Sequence, residues 1–282
     1  MAKIVQASQV RITNQTTKTN KALYNEITLL LQKLELDSSG IIKQSQANRA
    51  LLSKVDSYFN TAFNKSGYYD TLDAISGNVV EITDANAAYF TFILDKFTPD
   101  KQFIKSLQKS AINDVETLLA NEGLEITLKK PIIDILNQNI NTGASFVDLQ
   151  EQIRQFILGD STLEPTLSRY AKQITNDALF NYSRAYQEAV SMGVGLEFVK
   201  YSGGTQDDSR EFCTERAGKY FHKKEVEKWA SMNWQGKRKG TTSSSIFIYA
   251  GGYFCKHQII YVLEVSVPKT VVNRAKKAGY MS

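Results

Sequence analysis

Four residues with the chemistry of metal ligands or nucleophiles lie close together in this 282-residue chain. Its only cysteines are Cys213 and Cys255, its only histidines are His222 and His257, and all fall between positions 213 and 257. Two thiols and two imidazoles are a complete Cys₂His₂ inventory for tetrahedral zinc. If 255–257 is a strand, Cys255 and His257 share a face, because side chains two apart do so. The intervals Cys-x₈-His and Cys-x-His, however, differ from finger motifs, where two to four residues separate paired ligands. A thiolate activated by His257 or Lys256 is a second chemistry, but it leaves Cys213 without a role. A third is architectural, since buried free cysteine packs as a small apolar residue. Gly251 and Gly252 then permit a sharp turn, Tyr253 and Phe254 anchor it in the core, and Cys213, Cys255 and His257 clip a small domain shut, with or without zinc. The architectural reading is the leading physical interpretation.

Other motifs are missing. In "FHKKEVE" His222 and Glu225 stand one residue too far apart for a zinc-deaminase H-x-E, and no P-C-x-x-C follows. "SGGT" and "GKRKG" lack the G-x-x-x-x-G-K-[ST] of a phosphate loop. A metal-dependent nuclease or transferase-like enzyme acting on nucleic acid would need a metal with Glu211, Glu215 or Glu225 nearby as acid or base.

The elements that must position these residues divide into two parts. Up to about residue 193 the pattern is helical: Leu23, Ile27, Leu30, Leu31 and Leu34 form one apolar stripe, and Leu51, Val55, Phe59 and Ala62 a second, stopped by Gly67. A further helix is expected over 72–97. Another should begin with Thr98 as cap and Pro99 at the first helical position. Ser145 is expected to cap a helix with Asp148 three residues on. A long helix over 164–192 shows Leu167, Ala171, Ile174, Ala178, Ala185 and Ala189 on one side, an alanine-rich face that a neighbouring helix can approach. After a glycine hinge at 193–195 the chain reads as α+β: a strand over 196–201, helices over 208–217 and 223–231, and strands in "SIFIYAGG" and "QIIYVLEVSV". The expected fold is mainly α, with an elongated helical N-terminal domain (1–193) and a small α+β C-terminal domain (194–282).

An apolar fraction of 42% is enough for a core, and no apolar run approaches the roughly 20 residues needed to cross a bilayer. The N-terminus has no signal-peptide pattern, so a product of the cytoplasm is expected, where paired cysteines are free or metal-bound rather than disulfide-linked. From Lys200 onward there are 15 Lys/Arg against 7 Asp/Glu, whereas the rest of the chain is slightly acidic. Such asymmetry suits nucleic acid or an acidic protein surface. Lys237, Arg238 and Lys239 are the candidate contact residues, and a cytosolic DNA-binding accessory protein is one reading of them.

The order "TQDDSREFCTERAGKYF", "GTTSSS" and "GGYFCKH" resembles the C-terminal domain of phage minor head, or head morphogenesis, proteins, the family of phage Mu protein F. The matching positions are Asp207, Arg210, Cys213, Gly218, Lys219, Tyr220, Gly251, Gly252, Cys255 and His257. The lead-in at 142–193 is similar too: Arg169, Ile174 and Thr175 fit, whereas Tyr170, Asn176 and Asp177 depart from the commoner small residue and Glu. The resemblance implies a non-enzymatic virion component, made in the host cytoplasm and held inside the head near the portal. Its partners would be portal protein, capsid or sibling subunits and packaged double-stranded DNA, its role head assembly or the conduct of DNA, and no membrane would be involved.

Overall fold

The computed structural model describes residues 1–281. Helices come first: α1 (Ala2–Leu31), α2 (Gln46–Leu51), α3 (Val55–Ser66), α4 (Tyr68–Ile93), α5 (Lys101–Leu119), α6 (Glu122–Leu124), α7 (Lys130–Thr142), α8 (Phe146–Leu158) and α9 (Thr166–Val194). Then follow β1 (Phe198–Ser202), α10 (Glu211–Thr214), β2 (Tyr220–His222), α11 (Lys223–Trp229), α12 (Ile246–Tyr249), β3 (Gln258–Val262) and α13 (Lys269–Lys277). The chain is thus mainly α with a small antiparallel sheet toward its C-terminus. Among the described residues no helix is long and apolar enough to cross a membrane.

Packing divides the chain into two units. One comprises Ala7–Ile75 and Asp114–Thr175, the other Met1–Gln6, Ser76–Asn113 and Asn176–Ser282. The sequence boundary at 193–195 marks the end of α9, where Gly195 takes φ 71°. The packing unit around the sheet nevertheless includes helical segments before it, because Phe90, Ile104 and Tyr186 complete the same apolar cluster as Val199, Tyr201 and Tyr261.

The first unit is built from the stripes legible in the sequence. Leu23, Ile27, Leu30, Leu31, Val55, Phe59 and Ala62 are all buried, and the rings of Phe59 and Phe63 stack at 4.3 Å. Gly67 (φ 73°) ends α3 and Gly143 (φ 66°) ends α7, in the left-handed region that glycine enters without strain. Ser145 Oγ accepts from Asp148 N at 3.4 Å, starting α8 as expected. The start of α5 differs from expectation. Asp100, not Thr98, does the capping, its Oδ1 accepting from the amides of Gln102 (3.0 Å) and Phe103 (3.1 Å), and Pro99 stays outside the helix.

In the second unit the sheet order is β2-β1-β3, all pairs antiparallel, so β1 is central. Val199 faces Phe221 and Tyr261 in register, and Tyr201 faces Ile259. The expected strand in "SIFIYAGG" is a short helix, α12. Its Ile246 and Phe247 are buried, and Thr242 and Ser245 form a reciprocal cap ahead of it. That local capping outweighs the β preference of a run this short. β3 is likewise shorter than the apolar run suggested. It stops at Val262, and a 3₁₀ turn over Glu264–Ser266 leads through Pro268 into α13.

Candidate functional site

The site is organised by one helix. From Thr175 to Gln187, α9 buries polar side chains: Asn176, Asp177, Ser183, Arg184 and Gln187 are all nearly inaccessible. The alanine face expected to pack is the less covered one here, since Ala178, Ala185 and Ala189 are only half-buried. The reason lies in what the polar residues grip. Asp177 Oδ1 accepts from Phe254 N at 2.7 Å. Arg184 donates to the carbonyls of Ile248 (2.9 Å), Cys255 (2.8 Å) and His257 (2.6 and 2.9 Å). Gln187 Oε1 accepts from Tyr261 N at 3.2 Å, and Glu188 accepts from the Tyr261 hydroxyl. Positions 177, 184 and 188 recur at i, i+7 and i+11, one side of a helix. This polar rail holds the backbone of 248–261, which would otherwise have buried, unpaired carbonyls.

Held this way, Cys255 and His257 meet Cys213. The donor atoms of Cys213, Cys255 and His257 all lie within 4.8 Å of one another, and all three residues are buried. Cys255 Sγ is 3.9 Å from His257 Nδ1. Tyr201, reaching out from β1, places its hydroxyl 3.3 Å from Cys213 Sγ and 3.7 Å from Cys255 Sγ, and its ring stacks on His257 with centroids 5.0 Å apart. Both cysteines are free thiols. Hydrogen bonding from Cys213, helped by the Arg184 guanidinium and His257 and opposed by burial, lowers the Cys255 thiol well below its usual range. The same bond, together with burial, raises Cys213. Burial keeps the Tyr201 hydroxyl protonated far above the ordinary tyrosine range.

The glycine pair has two separate tasks. A Cβ on Gly251 would lie 2.4 Å from Cys213 Sγ and 3.0 Å from Cys255 Sγ, so only glycine lets the backbone press against the thiols. Gly252 has φ 96°, and a Cβ there would fall 1.9 Å from the carbonyl oxygen of Gly236. Arg210 ties the same turn, donating to Tyr253 O at 2.6 Å and Gly251 O at 3.5 Å. Trp234 Nε1 donates to Gly251 O at 2.9 Å.

Several expected roles are corrected. His222 is not with the other three. It ends β2 and caps α11, its Nδ1 accepting from Lys224 N at 3.2 Å. Its Nε2 lies 3.3 Å from Glu197 Oε2, outside hydrogen-bonding alignment. Cys255 and His257 precede β3 rather than lying in it, so their convergence comes from the Arg184 clamp and not from strand alternation. Tyr253 and Phe254 do not anchor the turn in the core, for they are 43% and 36% exposed, and Phe254 takes φ 57°. Tyr253 instead covers the Arg238 guanidinium, 4.8 Å from its ring. Of the basic cluster only Lys239 is exposed. Lys237 donates to Ala230 O and Met232 O at 2.6 and 2.7 Å, and Arg238 pairs with buried Asp177 at 2.8 Å. Two of the three cations are therefore spent on holding their own loop.

Comparison with protein-family models, with curated proteins and with solved structures gave no match. No carboxylate joins the cluster among the described residues: Glu215 pairs with Arg216, and Glu225 with Arg274. Sequence reasoning missed Arg184, Asp177 and Tyr201. The signal available for the first two was their seven-residue spacing on a helix otherwise read for its apolar face.

Proposed function

We propose that this protein is a non-enzymatic phage minor head protein that associates with the portal and assists head assembly or the passage of DNA. One observation carries the reading. Of the residues on which the resemblance rests, Cys213, Gly251, Gly252, Cys255 and His257 meet in a single buried knot, with half-buried Arg210 at its edge. Gly218 and Lys219 sit beside it, pairing through their backbones with Tyr201. Residues scattered between positions 210 and 257 thus share one structural task, the closing of a small domain, which supports treating them as a family pattern. Asp207 stands apart, in an exposed turn.

The knot favours a structural role over catalysis. Cys213 and Cys255 are 3% and 2% exposed, and a thiolate that attacks a macromolecule has to be reached by it. The cationic surface available to DNA or to an acidic portal face lies elsewhere, on α13 with Lys269, Lys276 and Lys277 and at Lys219, Lys224 and Lys239, all exposed.

The test is fractionation of complete heads made with a tagged but otherwise intact chain. The protein should be found in the heads at a few copies and remain with portal assemblies after the shell is dissociated. Its absence from both fractions would sink the proposal.

A further inference from the structure

We infer that Cys213, Cys255 and His257 bind a single divalent metal ion of the zinc class, with the Tyr201 hydroxyl hydrogen-bonded to the sulfurs. The inference goes beyond the proposed head-protein function and does not depend on it.

Size is the first argument. With Zn–S near 2.3 Å and Zn–N near 2.0 Å, neighbouring donors in a tetrahedral site are about 3.6–3.8 Å apart. The Cys255 sulfur and His257 Nδ1 are 3.9 Å apart, and the three donors fit within 4.8 Å. Side-chain shifts of less than about 1 Å bring all of them to ligand distance. The Tyr201 hydroxyl, 3.3 and 3.7 Å from the two sulfurs, is placed to donate to a ligating thiolate and steady it.

Chemistry is the second. Two sulfurs and an imidazole select zinc over magnesium or calcium, which take oxygen ligands. Each cysteine ligates as its thiolate, so binding releases the S–H protons to solvent. The resulting ion with two thiolates and a neutral imidazole carries no net charge, which makes its burial tolerable.

The third is the state of His257. Its ring is fixed by Tyr201 on one side, its carbonyl is clamped by Arg184, and Gly203 approaches so closely that a Cβ there would be 2.8 Å from Cδ2. Yet Nε2 has no partner and Nδ1 only the sulfur contact. Buried imidazole nitrogens are as a rule hydrogen-bonded, and a metal on Nδ1 gives that nitrogen the partner it otherwise lacks. Cys213 comes from α10, and Cys255 and His257 are held by Arg184 of α9, so the ligands are gathered by separate elements and need no finger spacing.

The experiment uses the full chain without a polyhistidine tag, purified under reducing conditions with no chelator. Elemental analysis should give about one zinc per chain, and reconstitution with Co²⁺ should give the visible bands of a tetrahedral site and a sulfur-to-cobalt charge-transfer band. Cys213→Ser and Cys255→Ser should each weaken zinc binding at least about tenfold. His222→Asn should leave it unchanged. Wild-type protein with a folded near-ultraviolet circular dichroism spectrum, but neither zinc nor a cobalt–thiolate band, would overturn the inference whatever the variants do. Equal loss of metal in the His222 variant would overturn the ligand assignment. None of these readouts involves the portal, so this result and that of head fractionation stand apart.

Discussion

Arg184 holds His257 by the backbone rather than by the side chain: its Nε and Nη2 both donate to the His257 carbonyl, at 2.9 and 2.6 Å. The same guanidinium reaches Cys255 O and Ile248 O. It is 2% exposed and belongs to a helix, so its position is fixed from below. Replacing it by Met would leave three buried carbonyls short of a donor. Arg184→Met is expected to lower unfolding free energy by about 3 kcal/mol. Arg184→Lys should recover only part of this, because one ammonium cannot span the fork. Urea unfolding measures both, and a loss under about 1 kcal/mol in the Met variant would show that the clamp is dispensable.

The two glycines of the turn should fail for different reasons. Gly252→Ala forces a methyl group onto the Gly236 carbonyl and a side chain into φ 96°, and should cost about 2 kcal/mol or more. Gly251→Ala has no such dihedral problem but drives a methyl group into the two sulfurs, so it should also raise thiol reactivity toward an alkylating reagent. Gly204→Ala, where a Cβ meets open space, is the control and should change stability by less than about 0.5 kcal/mol. Thermal melts with timed alkylation separate the three.

Much of the fold was legible because apolar periodicity in α1, α3 and α4 reports burial directly, as Ile27, Phe59 and Val79 illustrate. The Cys255–x–His257 pair was also visible, as was the importance of Gly251 and Gly252. What periodicity could not show is a helix that buries polar residues to serve another segment's backbone. Asp177 and Arg184 look like solvent-facing positions until the carbonyls and amides of 248–257 are in place. The basic run at 237–239 misled for the converse reason. Charge reads as surface, yet Lys237 and Arg238 are bonded inward, because their loop has few apolar side chains to hold it. His222 was grouped with the cluster by composition alone, and the direction of β2 carries it elsewhere.

Arg238 should therefore behave as a structural residue and Lys239 as a surface one. Arg238 closes a buried pair with Asp177, whose carboxyl is raised by burial despite the guanidinium beside it. Arg238→Ala leaves that carboxylate without its cation, and a loss of about 2–3 kcal/mol is expected. Asp177→Asn in the same chain should return part of the loss, since the neutral amide needs no counter-charge. Lys239→Ala should be neutral within about 0.5 kcal/mol. If the two single variants at 238 and 239 are equally mild, the inward pairing of Arg238 is not holding the loop.

His222 gives the protein an acid-side weakness that can be isolated. Its imidazole is fully buried, perpendicular to the ring of Phe198 and stacked on that of Tyr280, and burial lowers it from the ordinary 6.5, with Glu197 and Glu225 pulling back and Lys223 and Lys224 adding to the depression. A histidine lowered in the folded state adds stability that is complete above 6.5 and is lost as pH falls through the folded value. The structural cause is plain. Protonation at Nδ1 removes the acceptor that caps α11 at Lys224. Asp177 and Glu188 act with the opposite sign: burial raises both, so their contribution is present at low pH and disappears as pH rises through their folded values. Total stability against pH mixes these effects, but the difference between wild type and His222→Asn does not. Asparagine caps a helix and does not titrate. Wild-type stability relative to the variant should fall as pH is lowered from about 7 to 5. A flat difference across that range would mean that His222 is not held neutral by its burial.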